Sequence, residues 1–193
     1  IYNAHYVPVG EDQVPHLELS REVVRRFNNL YGEVFVEPQP LLTPISRLPG
    51  VDNRKMSKSY NNAINLSDDT ETVRKKVMQM YTDPKRVRAD IPGTVEGNPV
   101  FTYHDAFNPN VEEVDDLKAR YRLGTVGDVE VKTKLARAIN AMLDPMRDRR
   151  AALLAEPGRL RELVFDSSAR ARAVAVETMA QVRDAMKISY RRG

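Results

Sequence analysis

The chain has 193 residues, a formal net charge of +3 at neutral pH, three histidines and no cysteine. Without cysteine it forms neither disulfides nor thiolate metal sites. Three scattered histidines offer little for a zinc or iron centre, so we expect no resident metal. The length allows one domain or two small ones. No apolar run approaches the roughly 20 residues needed to span a bilayer, and no signal-peptide pattern opens the chain, so we expect a cytoplasmic protein.

Residues 1–65 predict the C-terminal part of an α/β nucleotide-binding domain. Residues 1–9 fit the end of a buried strand, and apolar spacing from Asp12 to Tyr31 predicts a helix that Gly32 ends. Glu33–Val36 fits a short strand. A proline-rich loop follows and leads to a Lys/Ser motif. Because Ile1 is not a natural start, we expect an N-terminal portion to precede this chain.

Residues 66–193 predict an all-helical domain, so the expected fold class is α/β with a Rossmann-like part followed by helices. A break from Thr82 to Asn98 carries several prolines and glycines, and Pro145 should kink or interrupt the longest helix. Helical apolar spacing predicts helices at Glu71–Met80 and at roughly 99–107, 111–122, 127–152 and 167–187.

The stretch Lys55–Ser59 reads Lys-Met-Ser-Lys-Ser and combines two ammonium groups with two hydroxyls beside a Pro-Gly turn. This composition is typical of a flexible loop that binds a polyphosphate. Two lysines on a solvated loop are the plain alternative, and a bare Lys-x-x-Lys would carry little weight. The whole five-residue string is much less frequent by chance, so we interpret it as an anion-binding loop.

The stretch Gly10–Gln13 reads Gly-Glu-Asp-Gln and follows a β-type run at the point where a helix begins. Side chains at such a switch can meet a ligand beyond the end of a sheet. Gly10 admits close backbone approach, Asp12 can accept from ribose hydroxyls, and Gln13 offers both a donor and an acceptor. The alternative is that Asp12 simply caps the helix.

Together these strings resemble class I aminoacyl-tRNA synthetases, and most closely the tryptophanyl-tRNA synthetase family. The run Val-Pro-Val before Gly10, His-Leu-Glu-Leu from His16 and the terminal Ala-Met-Lys-Ile are similar to the tryptophan enzymes, and the resemblance covers essentially the whole chain. Tyrosyl-tRNA synthetase is the near alternative. It shares an Asp-Gln pair but usually departs from a strict Lys-Met-Ser-Lys-Ser and from the preceding Gly-Glu.

The resemblance implies a role for each matching residue. Lys55 and Lys58 would act in catalysis, because they neutralise the departing pyrophosphate during adenylate formation. Val7, Val9 and Gln13 would bind tryptophan, although the two valines fit core packing equally well. The residues implied in ATP binding are Gly10, Glu11, Asp12, Leu48, Lys55, Met56, Ser57, Lys58 and Ser59.

The resemblance also implies substrates and partners. ATP carrying Mg²⁺, tryptophan and tRNA(Trp) are expected, with a homodimer for the complete enzyme and anticodon recognition by residues 66–193. The family's His-x-Gly-His motif is expected before Ile1, so we expect this segment alone to be inactive. The alternative from another class is a non-catalytic tRNA-binding or regulatory fragment that retains the motifs.

Basic residues cluster along the helical part. Clusters beyond a phosphate site fit a nucleic-acid partner, but each cluster fits a solvated helix face equally well. The clusters are Arg74, Lys75 and Lys76, then Lys85, Arg86 and Arg88, then Arg147, Arg149 and Arg150, then Arg170 and Arg172.

Overall fold

The computed structural model describes residues 1–42, 45 and 47–189. The chain divides into two compact units, one formed by Ile1–Arg47 with Glu156–Gly193 and the other by Leu48–Ala155. The elements in chain order are β1 (Tyr6–Pro8), α1 (Val14–Tyr31), β2 (Gln39–Leu41), α2 (Thr70–Met78), α3 (Pro99–Phe107), α4 (Val111–Leu123), α5 (Asp128–Ala155) and α6 (Pro157–Ala185). Short 3₁₀ turns at Glu11–Gln13 and Lys58–Tyr60 complete the described structure.

The first unit contains a two-stranded parallel sheet beside α1. β1 pairs with β2 in the register that sets Val7 opposite Pro40. Helix α1 begins with Pro15 in its first turn, where a missing N–H does no harm, and ends at Gly32, whose φ of 99° suits glycine. The predicted helix and its stop are therefore confirmed.

The predicted strand at Glu33–Val36 is wrong, and the side chain of Asn28 explains why. Its carbonyl oxygen accepts from the amides of Val34 and Phe35, both at 3.1 Å. Its amide donates to the carbonyl of Phe35 at 2.8 Å. Because one helical side chain satisfies these backbone groups, the segment needs no neighbouring strand. The second strand forms three residues later, within the stretch predicted as a proline-rich loop.

The second unit is built around α5, against which α2 and α3 pack, while α4 packs against α3. The helical spacing that predicts α5 places Val131, Leu135, Ile139, Met142 and Leu143 on one stripe. This stripe is confirmed, since Met142 is partly buried against the core and the other four are each at most 2% exposed. Helix α2 begins with Asp69 as its cap, whose carboxylate accepts from the amide of Thr72 at 2.6 Å. All helices predicted between residues 70 and 152 are present.

Two helix predictions need correction. Helix α5 continues through Pro145, so the interruption offered as one outcome there is wrong: Leu143 before the proline lies in the core, and Arg147 after it donates to the carbonyl of Asp68 at 2.9 Å. Helix α6 begins at Pro157, ten residues before the predicted start. Proline is favourable in a first turn, so Pro157 begins this helix and does not break it.

The division predicted at residue 65 differs from the packing. Leu48, Val51, Met56 and Ile64 pack against the core formed by α2 to α5, so the Lys/Ser loop shares a core with the helices after it. The compact unit therefore begins at Leu48. Among the residues that the structure describes, no helix combines the length and apolar composition that crossing a bilayer requires.

Candidate active site

The Gly10–Gln13 stretch lies where β1 ends and α1 begins. Its backbone closes a tight turn in which the amide of Gln13 donates to the carbonyl of Gly10 at 2.9 Å. A Cβ on Gly10 would come within 2.7 Å of Asp12 Oδ1, so glycine suits this position. All four residues of this stretch are exposed. The turn therefore presents an acid and an amide to solvent at the end of the sheet.

Asp12 does not cap helix α1. Its carboxylate accepts from the side-chain amide of Gln13 at 2.9 Å, and no side-chain cap is found at the start of either helical segment here. The capping alternative raised from the sequence is therefore wrong. Val7 and Val9, predicted as tryptophan-binding, are half-buried on and just after β1. They lie in the same unit as Gly10–Gln13, close along the chain.

The Lys/Ser loop follows a short hairpin-like turn over residues 49–55, whose stem ends at Lys55. Pro49 and Lys55 form an antiparallel bridge, and the amide of Gly50 donates to the carbonyl of Arg54 at 2.7 Å. The hydroxyls of Ser57 and Ser59 are 2.8 Å apart and hydrogen-bonded. The 3₁₀ turn after Ser57 presents Lys58 at its start. The stem thus fixes the backbone at Lys55, where the Lys/Ser motif begins.

Lys55 and Lys58 are exposed, and neither ammonium forms an ion pair or hydrogen bond within the described part of the chain. Two other basic side chains near the loop are paired, Arg54 with Asp52 at 2.6 Å and Lys76 with Asp68 at 2.7 Å. Two uncompensated cations on one short loop create a positive potential suited to an anion such as a polyphosphate.

Apolar and hydrogen-bonded contacts hold the stem to the helices. Met56 and Leu48 pack against the core of the second unit. The phenol of Tyr103 on α3 donates to the carbonyl of Pro49 at 2.8 Å, and burial raises the pKa of Tyr103 to about 12. Leu48, implied by resemblance in adenine binding, is half-buried beside this contact.

One residue of the loop was missed by sequence reasoning. Asn62 is 3% exposed, and its amide donates to Asp52 Oδ1 at 2.8 Å and to the carbonyl of Lys55 at 3.1 Å. Its carbonyl oxygen accepts from the amide of Ser57 at 2.9 Å. The Asn62 amide and the Arg54 guanidinium lower the pKa of Asp52 to about 2. An asparagine three residues after a motif carries no signal of burial in a single sequence.

The structure separates the basic clusters into internal and exposed members. Arg86 is 5% exposed, pairs with Asp128 at 3.1 Å and lies over the ring of Tyr121. It also donates to the carbonyls of Ala89 and Val126. The guanidinium of Arg86 is therefore hydrogen-bonded inside the fold. Arg147 and Lys76 likewise bond to neighbouring segments. The exposed members are Arg74, Lys75, Lys85, Arg88, Arg149, Arg150, Arg170 and Arg172.

The sequence match extends across both groups of site residues. Residues 1–144 match the family described as tRNA synthetases class I (W and Y). The chain belongs to this family. Gly10–Gln13 and Lys55–Ser59 both fall inside the matched range, although they lie in different compact units.

Individual members of the class I tRNA synthetase family are similar over nearly the whole chain. A tryptophan–tRNA ligase of Treponema pallidum is 59% identical over 189 residues, which cover 97% of this chain and 56% of that protein. One from Chlamydia caviae is 51% identical over 187 residues, covering 96% of this chain and 54% of that protein. The chain therefore spans about half the length of these relatives.

Solved structures of the class I tRNA synthetase family support the predicted fold class. The tryptophanyl-tRNA synthetase of Campylobacter jejuni, in complex with ADP and tryptophan, has a TM-score of 0.73 at 28% identity. The match covers 96% of this chain and 58% of that structure. The prediction of a Rossmann-like C-terminal part followed by helices is thereby confirmed.

Proposed function

We propose that the complete protein activates tryptophan with ATP and transfers it to tRNA(Trp). The structural observation that carries the proposal is the pair of exposed, unpaired ammonium groups of Lys55 and Lys58 on a loop with a fixed stem. The likeness to proteins named tryptophan–tRNA ligase supports tryptophan over tyrosine as the amino acid.

In the proposed first step, a carboxylate oxygen of tryptophan attacks the α-phosphorus of ATP. The bond between this phosphorus and the bridging oxygen breaks, and pyrophosphate leaves with the bonding electrons. Negative charge grows on that leaving group in the transition state, so Lys55 and Lys58 would stabilise it there more strongly than in the bound ATP. In the second step, a ribose hydroxyl at the tRNA 3′ end attacks the tryptophanyl carbonyl and AMP departs.

The remaining assignments orient the substrates. Gly10, Glu11, Asp12 and Leu48 would contact the nucleotide, together with Met56, Ser57 and Ser59 of the loop. Val7, Val9 and Gln13 would contact tryptophan, the valines by apolar contact with the ring and Gln13 by hydrogen bonds. No side chain needs to act as a nucleophile, because orientation and electrostatic stabilisation lower the barrier.

Mg²⁺ would enter with the nucleotide. Within the described ranges, no three carboxylate or imidazole side chains converge to hold a metal ion. Phosphate oxygens are ligands that Mg²⁺ favours, so the ATP phosphates would hold it while the two lysines supply the protein's share of positive charge.

We further propose that residues 1–65 contribute to the catalytic domain, that residues 66–193 contact tRNA near the anticodon, and that the complete enzyme is a cytoplasmic homodimer. The exposed basic residues of α2, α5 and α6 are the candidates for contact with tRNA. Arg86 and Arg147 are not, since their guanidinium groups bond to other parts of the fold.

The test is ATP–pyrophosphate exchange by the complete gene product, with tryptophan and tyrosine in parallel. Exchange with tryptophan alone is expected. Exchange with tyrosine alone would contradict the proposed amino acid, and no exchange with either would favour a non-catalytic RNA-binding role. Exchange by the 193-residue chain alone would contradict our expectation that residues outside it are required.

The role of the loop is tested by Lys58→Ala in the complete gene product. We expect the exchange rate to fall by about 100-fold while the KM for tryptophan changes by about twofold or less, because the lost interaction belongs to the transition state. Arg54→Ala, which removes a neighbouring cation already paired with Asp52, is the matched control. Equal losses in rate and tryptophan affinity would contradict a transition-state role.

A further inference from the structure

We infer that Asn62 is a positioning residue that holds Lys55 and the loop after it in the geometry needed for pyrophosphate departure. This inference rests on the proposed function. Asn62 lies outside the Lys55–Ser59 string and contacts no substrate in the proposed reaction. Its role would be exerted through the loop backbone.

The hydrogen bonds of Asn62 join both sides of Met56. The amide group donates to the carbonyl of Lys55, and the carbonyl oxygen accepts from the amide of Ser57. One planar side chain therefore constrains the backbone on either side of a single residue. Met56 lies between these bonds and packs against the helical core, while Lys55 extends into solvent.

Asn62 is also fixed from the other side of the stem. Its second amide hydrogen is donated to Asp52, and its main-chain carbonyl accepts from the amide of Val51 at 2.9 Å. At 3% exposure the side chain is shielded from water, so each of these bonds would be costly to leave unmade. The turn at Val51 and the Lys/Ser loop are thus connected through one residue.

Gly50 makes room for this arrangement. A Cβ at position 50 would lie 2.5 Å from the Cγ of Asn62 and 2.9 Å from Asp52 Oδ1. Both distances are well inside van der Waals contact, so any larger residue would displace the Asn62 side chain. Gly50 therefore provides a second, independent way to disturb the same hydrogen bonds.

Preorganisation explains why such a residue would matter for rate. Two flexible lysines stabilise a leaving group only when their backbone is already in position, since ordering them during the reaction would raise the barrier. Losing the bonds to Lys55 and Ser57 would leave ATP and tryptophan able to bind. The lysines would then be less well aligned in the transition state.

The main test is Asn62→Asp in the complete gene product. An aspartate keeps the acceptor for Ser57 but loses both donors and adds a charge beside Asp52. We expect pyrophosphate exchange to slow by about tenfold or more with the KM for tryptophan within about twofold of wild type. We also expect faster amide hydrogen exchange in the peptide that contains Ser57.

Two further variants complete the test. Gly50→Ala is expected to slow pyrophosphate exchange and leave the KM for tryptophan nearly unchanged, as Asn62→Asp does, but through a different residue. It replaces Asn62→Asp as the test if that variant does not fold. Asn61→Gly is the matched control. Asn61 is the exposed neighbour with a φ of 49°, which glycine adopts readily, and its side chain makes no hydrogen bond among the described residues.

Wild-type exchange rates in both Asn62→Asp and Gly50→Ala, with faster amide exchange at Ser57, would overturn the positioning role. A loss of thermal stability without the split between rate and KM would also overturn it, because that pattern marks a purely structural residue. If the wild-type protein catalyses no exchange, the proposed function fails. If the wild-type enzyme is active and both variants retain its exchange rate, only the role of Asn62 is refuted.

Discussion

The phenol of Tyr103 and the carbonyl of Pro49 are joined by a hydrogen bond of 2.8 Å that links helix α3 to the turn before the Lys/Ser loop. Tyr103 is 2% exposed, and burial raises its pKa to about 12. The hydroxyl therefore remains protonated and able to donate throughout the physiological pH range. This bond connects the helical core to the backbone beside Leu48.

Replacing Tyr103 by phenylalanine should destabilise the second unit modestly. Tyr103→Phe leaves the Pro49 carbonyl without its donor, at a cost of about 1 kcal/mol in the free energy of unfolding. Urea unfolding measures the change. Tyr81→Phe is the control, since within the described residues the Tyr81 hydroxyl has no hydrogen-bond partner. Equal losses in the two variants would show that the bond to Pro49 contributes nothing.

The helices were predictable because their signals are local. Gly32 ends α1, Asp69 caps α2, and Asn98 caps α3 by accepting from the amide of Val100 at 3.0 Å. Each signal needs only neighbouring residues. The apolar stripe of α5 was visible for the same reason, since helical spacing alone decides which side chains share a face.

The errors arose where distant contacts decide the structure. Nothing near Val34 indicates that Asn28 will bond its backbone and replace a strand. Similarly, the contact of Arg147 with Asp68, which supports α5 beyond Pro145, joins segments far apart in sequence. In the candidate site, Lys55 and Lys58 are exposed, as expected for an anion-binding loop. The burial of Asn62 was invisible because it depends on Asp52 and the loop backbone together.

Lys132 should contribute strongly to stability through its buried ammonium group. It lies on α5, is 5% exposed and donates to the carbonyl of Met80 and the hydroxyl of Thr82, both at 2.7 Å. Lys132→Met should lower the free energy of unfolding by about 1 to 3 kcal/mol, because buried acceptors lose their donor. Chemical unfolding at neutral pH measures this.

Lys134→Met provides the comparison for Lys132. Lys134 lies on the same helix and faces Glu113 and Glu130 at 3.4 and 3.6 Å, with its side chain partly exposed. Ion pairs of this kind contribute less than about 1 kcal/mol. If Lys134→Met is as destabilising as Lys132→Met, the buried hydrogen bonds of Lys132 are not the cause.

His104 should make stability depend on pH just below neutrality. Its Nε2 lies 3.0 Å from the carbonyl of Val131 and its Nδ1 3.2 Å from the side-chain amide of Asn108, so in the neutral ring the proton is assigned to Nε2. Burial is the main cause that lowers the pKa of His104 below its ordinary value. The hydrogen bond to the Val131 carbonyl, Glu113 and Asp105 act in the opposite direction, and Lys118 adds to the lowering.

The sign of this dependence follows from the lowered pKa. As the pH falls below about 6.5, the unfolded chain binds a proton at this histidine before the folded chain does, so the free energy of unfolding decreases. The slope for one proton is at most about 1.4 kcal/mol per pH unit. Unfolding curves at about pH 5.5 and about pH 7.5 should therefore differ more for wild type than for His104→Gln. Parallel changes in both proteins would contradict this assignment.

Arg149 and Arg150 should contribute to tRNA binding if the proposed function holds. Both are exposed on α5, and neither forms an ion pair within the described ranges, whereas Arg122 on α4 is paired with Glu96 at 2.7 Å. Replacing both by alanine in the complete gene product should weaken tRNA binding. It should also reduce the slope of log affinity against log salt by roughly 0.7 to 0.9 for each lost phosphate contact. Arg122→Ala should leave affinity and slope nearly unchanged. If the salt dependence of the double variant is unchanged, Arg149 and Arg150 face solvent without contacting tRNA. The contacts with tRNA then belong to other exposed cations.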